Sequence, residues 1–359
     1  VLSLALAQRG ADVDLVEITP QWRGVGHGIT VQGNLIAALG RVGVADEVMR
    51  RGVPFNHVRM RKADGSLIAE IPTPHTGGAD VPATMGALRS DIQDILCEHV
   101  YSAGVTVRLG LSVAAIDASG DRASVGFTDG SAGSYDLVVG ADGIRSSVRG
   151  MLGITTEPQP SGMSIWRVVA ERPAEMDCAE LYYGGPRYKA GYSPISATRC
   201  YAYLLDADGR LADFGDKPAW QLMYERSAGY GGTWGKIRET IGADSNVSHT
   251  RIEWLLVDDP WYRGPAIVIG DAAHACPPLI AQGAAMCAED AVVLAEMVTS
   301  LPVDEALPAF MARRLPRVQL VVKNSMQLVR WEMDLEPHTD ADMATTMSST
   351  LGFLASAQP

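Results

Sequence analysis

The spacing of apolar and polar positions divides the chain into three kinds of stretch. Over residues 1–160, short apolar runs alternate with segments of helical period, which is the pattern of α/β structure. Residues 1–9 have helical composition and stop at Gly10, a residue suited to a helix C-cap. Residues 12–17 read as a strand ending in an acid, and residues 25–29 as a glycine-rich loop. Two short amphipathic helices follow over residues 35–51, with a break at Gly40 and Gly43. Residues 57–61 and 67–71 flank Asp64-Gly65, a hairpin turn signal. Residues 89–102 predict a helix with Ile92, Ile95, Leu96 and His99 or Val100 on one face. Strands are expected at 105–108, 112–118 and 122–127, then a turn at Asp129-Gly130 and a very apolar strand over 135–140.

From about residue 161 to 257 the pattern changes. Candidate strands at 164–170, 179–183, 188–193 and 200–206 are separated by Gly and Pro turns and are rich in Tyr and Trp, which predicts an antiparallel sheet. Helical stretches at 218–227 and 234–241 and one more strand at 251–257 complete it. The α/β pattern returns at residue 266, and residues 304–332 form a long helical pattern interrupted at Pro316. The expected organisation is therefore one discontinuous α/β domain, residues 1–160 with 258–332, and a sheet domain inserted at 161–257. Residues 333–359 are small, polar and Met-rich, and are expected to be a loosely ordered tail.

Composition narrows the function. A chain of 359 residues, 47% hydrophobic and 20% charged, has the make-up of a soluble globular protein with room for two domains. A net charge of −12 argues against nucleic acid or an anionic membrane as partner. No apolar run approaches the length of a membrane span. The five cysteines are scattered and none forms a CxxC pair, so neither a disulfide framework nor a zinc site is indicated. A reducing cytoplasm is the simplest compartment. No His/Cys/Asp cluster has metal-ligand spacing, so no metal is expected.

The most informative chemistry lies at Gly270-Asp271-Ala272-Ala273-His274. A buried strand at 266–269 precedes it, and Pro277-Pro278, Gln282-Gly283-Ala284-Ala285 and a helical pattern over 287–298 follow. An acid at a strand end, a glycine loop and a helix N-terminus together face an electron-rich ligand and hold a sugar-like hydroxyl. Such a device suits the flavin end of FAD. A second run, from Tyr135 through Gly140-Ala141-Asp142-Gly143 to Arg149, takes a buried strand into a helix. By itself it reads equally well as a turn with Asp142 as a helix cap. The helix at 1–9, Gly10 and the strand ending in Glu17 form the second half of a dinucleotide-binding βαβ unit, where the acid binds ribose hydroxyls. The first half, a strand and a Gly-rich turn of roughly 10–15 residues, is absent from the sequence, which reads as truncated at its N-terminus. The alternative is a protein that naturally lacks the phosphate loop.

With these motifs in this order, the chain resembles the class A flavoprotein monooxygenases, the p-hydroxybenzoate hydroxylase family. The Asp271 region matches that family's GD motif and the Asp142 region its DG motif, and the likeness runs from the first helix to about Val318. The resemblance implies a glutathione-reductase-type, Rossmann-like FAD domain with an inserted antiparallel substrate sheet. It implies FAD binding by Glu17, Arg89, Asp142, Gly143, Gly270, Asp271, Pro278, Gly283 and Ala284. Arg89 opens a helix, where a cation is unfavourable. It is either a surface residue tethered by Asp91 or Asp94, or an arginine reaching the ribityl or pyrophosphate region of FAD. No catalytic residue is assigned; His27, Arg167 and Tyr192 are the candidates to touch substrate or flavin. His274 is expected to be structural.

The implied activity is hydroxylation of a small aromatic or N-heteroaromatic compound by dioxygen through a flavin C4a-hydroperoxide, with NADH or NADPH as transient reductant. A monomer or homodimer is expected. Two departures stand out, the missing phosphate loop and the Ala284-Ala285-Met286-Cys287 run, where relatives often carry an Asn and smaller residues. The alternatives are an FAD-dependent reductase of the same superfamily and an inactive, FAD-poor fragment. The WxWxIP signature expected of a halogenase on this fold is not found in the sequence.

Overall fold

The computed structural model describes residues 1–22, 26–209 and 211–359, so Val25 of the expected glycine loop lies outside the described residues. The largest element is a seven-stranded sheet ordered Ser248–Trp254, Gln159–Glu171, Arg199–Ala207, Lys189–Pro194, Ala179–Tyr183, His57–Lys62, Leu67–Pro72. All neighbours are antiparallel except Ala179–Tyr183 and His57–Lys62, which run parallel. The expected segment 161–257 therefore does not enclose the sheet. The hairpin at 57–72 crosses over to extend its edge, and the buried Glu180 carboxylate, which receives Nη2 of Arg61 at 2.8 Å, helps to dock it there.

Alternation along these strands gives the sheet two faces. Trp166, Val168, Tyr182, Tyr192, Ala202 and Leu204 form a core with the helices Ala219–Arg226 and Gly232–Glu239. The opposite face joins the main core of the α/β part.

Parallel pairing occurs twice in the α/β part. Asp14–Glu17 runs beside Thr106–Leu109, and Val138–Gly140 beside Ala266–Val268. The expected single strand over 135–140 is divided. Ala132–Tyr135 pairs antiparallel with Ala123–Phe127, and Asp136, exposed and paired with Arg122, marks the break. Helix Leu2–Ala7 packs on helix Gly283–Val298 and leads to Gly10 at φ +84°, the left-handed conformation of a C-cap.

Two expectations about the C-terminal region are corrected. Val303–Glu332 is one helix of 30 residues that passes through Pro308 and Pro316 without ending. Interior proline costs a helix about 3 kcal/mol. Here Arg314 and Arg317, on either side of Pro316, are both clamped by Glu289 of the neighbouring helix, and this holds the line of the helix. The tail is also ordered, as helix Asp340–Ser356. Its start is a reciprocal capping box between Thr339 and Asp342. Met343, Met347, Leu351 and Leu354 recur at helical spacing and pack on the main core.

Candidate functional site

The loop after strand Ala266–Val268 is shaped from behind. Gly270 sits at φ +60° and ψ −140°, which an L side chain rarely adopts, and a Cβ there would stand 3.0 Å from Cys287 Sγ. Its N–H donates to Asp290 Oδ2 at 2.9 Å, and His274 Nε2 donates to the same oxygen at 2.5 Å. Arg314 Nε fills Asp290 Oδ1 at 2.7 Å. Burial alone would push the Asp290 carboxyl up. His274 and Arg314 outweigh it and hold the group down at about 2, so Asp290 is a carboxylate. Glu289 is the second buried acid. It takes Arg314 Nη1 at 2.8 Å, Arg317 Nε at 2.7 Å and Asn34 Nδ2 at 2.7 Å. His274 is thus a structural donor behind the loop.

In front of this network the groups point outward with few partners. Asp271 is exposed, and its neighbour is the Cys287 thiol, 3.7 Å from Oδ1. Pro278 and Ala284 are exposed and Gly283 half-buried. Helix Gly283–Val298 opens without a capping side chain or an acid in its first turn. Its start therefore offers N–H groups free of side-chain caps and the positive end of the helix. Gln282 spends its Oε1 on Asn34 Nδ2 at 2.9 Å, and its buried Nε2 donor has no partner.

The Asp142 loop is tied to the Asp271 loop. Asp142 Oδ2 accepts from Val148 N at 3.1 Å and Ser147 Oγ at 3.3 Å, and Oδ1 from Ser146 Oγ. Ser146 Oγ in turn accepts Arg149 N at 2.9 Å, so Asp142 and Ser146 together cap helix Ser147–Met151. Gly143 has φ +82°. The buried Arg149 donates to Ile144 O at 2.9 Å and, across the sheet, to Ala272 O at 3.0 Å. The two loops leave neighbouring parallel strands at their carboxyl ends, where α/β sheets bind ligands.

Glu17 ends its strand, with Oε1 accepting from Thr19 N and Oγ1, each at 2.9 Å. Arg89 opens helix Arg89–Ser102, and its backbone N–H donates to His27 O at 3.2 Å. Its exposed guanidinium makes no ion pair among the described residues, so the tether to Asp91 or Asp94 is not formed. Arg167, half-buried on the α/β-facing side of the sheet, donates to Thr250 Oγ1 at 2.6 Å and likewise has no carboxylate. His27 feels both arginines: burial, then Arg167, then Arg89 push its basicity down. Gly28 is closed over Tyr201, where a Cβ would meet Tyr201 Cβ at 2.2 Å. His27, Arg89, Arg167 and Tyr201 thus form one cluster.

Tyr192 is not part of it. Strand parity turns it to the opposite face, where it is 1% exposed beneath the two helices. The fold also brings His57, Asp177 and Cys178 within 4.8 Å of one another. Arg59 occupies that place, with Nη2 on Asp177 Oδ2 at 2.9 Å and Nε on Glu70 Oε2 at 2.8 Å, and no metal is assigned there. The hydrophobic pattern alone does not single out the network of Asn34, Gln282, Glu289, Asp290, Arg314 and Arg317. Its signal was two adjacent acids inside an otherwise apolar helix, with arginines at i and i+3 downstream.

The parallel strands, the joined loops and the sheet laid against them define a flavin-binding oxidoreductase fold. The family profile FAD_binding_3, described as an FAD binding domain, matches residues 1–192 and 229–325. The chain belongs to that family, the class A flavoprotein monooxygenases. It is 31% identical over 344 residues to the 2-heptyl-3-hydroxy-4(1H)-quinolone synthase of Pseudomonas aeruginosa, covering 92% of this chain and 88% of that one. It is 26% identical over 373 residues to an FAD-dependent urate hydroxylase of Klebsiella pneumoniae, covering 97% and 94%. The crystal structure of Klebsiella pneumoniae HpxO complexed with FAD and uric acid shares the fold, with a TM-score of 0.82, 23% identity and coverage of 98% and 93%.

Proposed function

We propose that this flavoprotein monooxygenase hydroxylates a small aromatic or N-heteroaromatic ring with dioxygen, using NADH or NADPH as transient reductant. The observation that carries the reading is the contrast across the site. A rigid loop and a bare helix start stand on one side, and Arg89 and Arg167, neither paired with a carboxylate among the described residues, with Tyr201 on the other. Relatives that act on a quinolone and on urate support a heteroaromatic ring.

The residues present fit FAD. The orphaned Gln282 Nε2 and the N–H groups at Gly283 and Ala284 suit the electron-rich edge of the isoalloxazine. Asp271 suits a ribityl hydroxyl, Glu17 the adenosine ribose and Arg89 a phosphate. Gly143, at its positive φ, lets the Asp142 loop approach the cofactor closely. When bound, FAD supplies hydride acceptance and oxygen activation. The chain's part is to hold negative charge at the helix start and to keep water out with the wall at Pro277-Pro278. Burial and the two arginines favour the neutral form of His27, which can accept a proton from a ring hydroxyl.

Five free cysteines fit a reducing cytoplasm, and no described helix is long and apolar enough to cross a membrane. We take the working unit as a monomer or homodimer.

The test is NAD(P)H consumption by FAD-loaded protein across phenols and hydroxy-N-heteroaromatics, with product masses recorded. Ring-stimulated oxidation and a product heavier by one oxygen atom are expected. Tight FAD binding without stimulation by any ring would instead indicate a reductase.

A further inference from the structure

The last helix, Asp340–Ser356, lies beyond residue 325, where the match to the family profile ends. Along its length it is held lightly. Of its 17 residues only Thr350, Leu351 and Leu354 are buried, and residues 334–337 before it are exposed. Its far end is held differently. The last four carbonyls of a helix lack partners within it and carry its negative pole. Arg317 meets that pole, with Nη2 donating to Leu354 O at 3.2 Å and Nη1 to Ala357 O at 2.9 Å.

The same guanidinium, 3% exposed, donates to Glu289 through Nε at 2.7 Å and Nη2 at 2.8 Å. Glu289 Oε1 also accepts Asn34 Nδ2 at 2.7 Å, and the second hydrogen of that amide goes to Gln282 Oε1 at 2.9 Å. Asn34 cannot turn over, because its Oδ1 accepts from Thr76 Oγ1 at 3.1 Å and its backbone N–H donates to the same hydroxyl at 3.0 Å. Gln282 is the N-cap residue of helix Gly283–Val298. Hydrogen bonds therefore run without a gap from the last helical turn of the chain to the start of the helix that faces the cofactor. Every side chain on the way, Arg317, Glu289, Asn34 and Gln282, is buried.

A buried polar chain of this kind works as a unit. If the last helix lifts away, two guanidinium hydrogens lose their acceptors, and Arg317 and Glu289 meet water. Glu289 can then turn from Asn34, and Gln282 loses its anchor. A peripheral helix with so few buried contacts is the kind of element that opens locally, well before the whole fold does.

We propose that helix Asp340–Ser356 is a strap whose docking and FAD binding favour each other, with Arg317 as the positioning residue that joins them. Docked, it holds Glu289, Asn34 and Gln282 in the arrangement that presents the start of helix Gly283–Val298. Undocked, that start is loosened and FAD is held less tightly. Such coupling is reciprocal, so bound FAD must also hold the strap down. The assignment rests on the FAD site proposed above and not on the substrate.

The experiment is amide hydrogen exchange on the full chain with and without FAD. Exchange is read at residues 343–354 and, for comparison, in helix Gly232–Glu239, which packs in the other core and lies off the relay. FAD is expected to slow exchange at 343–354 at least about fivefold more than in the comparison helix. Equal slowing in both is what any ligand that binds only the folded state produces, and it overturns the proposal, as does no slowing at 343–354. A second arm compares Leu354→Ala with Ile237→Ala, each removing a buried side chain of similar size. By flavin fluorescence quenching, Leu354→Ala should weaken FAD binding at least about fivefold and Ile237→Ala by less than about twofold. Equal FAD affinity in the two variants overturns the proposal. If Leu354→Ala does not fold, exchange in the parent chain decides alone. If the parent binds FAD while residues 343–354 exchange independently of it, only the strap fails. If the parent binds no FAD, the FAD site fails and the strap with it.

Discussion

Two sets of arginines lie around this site, and the fold treats them in opposite ways. Arg314 and Arg317 are buried and face Glu289 and Asp290 at hydrogen-bonding distance. Arg89 and Arg167 make no ion pair among the described residues. The first set is closed. Its charges are spent on one another, and what it presents outward is shape, the Gly270 loop and the helix start. The second set is open, its charge left for an anion or an electron-rich ring that comes from outside. In this molecule, satisfied charge builds the cradle and unsatisfied charge marks what the cradle holds.

The largest test of this contrast is Arg314→Ala. It removes the cation that two buried carboxylates share, leaving Glu289 to Arg317 and Asp290 to His274, and should cost about 3–5 kcal/mol in urea unfolding. A loss below about 1 kcal/mol would mean that the closed set does not support the loop. Gly270→Ala comes next, at about 2 kcal/mol, because the positive φ and the Cys287 sulfur both oppose a methyl group. It should also lower FAD affinity by displacing Asp271, measured by flavin fluorescence quenching. Arg89→Ala should weaken FAD binding about tenfold, roughly 1.4 kcal/mol, while the melting temperature of the FAD-free protein stays put. A fall in that melting temperature comparable to the Arg314 effect would erase the distinction between the two sets.

The smallest effect belongs to His27. Its basicity is lowered in the folded state, so the unfolded chain binds the proton more readily. Stability should therefore fall as pH drops below about 6.5 towards the folded value, and then level off. Urea midpoints at several pH values, for the parent and His27→Gln, isolate this component, which the variant should lack.

How much of this was readable depends on how local the cause was. The Gly–Asp turns at Asp142 and Asp271, helix Arg89–Ser102 and the hairpin at Asp64-Gly65 are set by neighbours in sequence, and they are found where the pattern placed them, although the strand before Asp142 is shorter than expected. The destination of that hairpin was not readable, because its pairing with Ala179–Tyr183 joins residues more than a hundred positions apart. Tyr192 lies away from the candidate site for a related reason. Alternation gives the parity of a strand but not which face the later helices at 219–239 will cover. The helix at 340–356 was missed although its capping box, Thr339 to Asp342, is a local signal that the Met-rich composition masked.

The hairpin's detour also limits how the protein can be re-engineered. A swap confined to residues 161–257 would cut His57–Lys62 from its parallel partner, leaving Ala179–Tyr183 as a raw edge open to another chain. The hairpin, with Leu67, Ile68 and Ile71 already on its surface, would be left behind on the recipient scaffold. The portable unit of specificity is therefore two separate lengths of chain, 57–72 together with 159–254, and they must be exchanged as one.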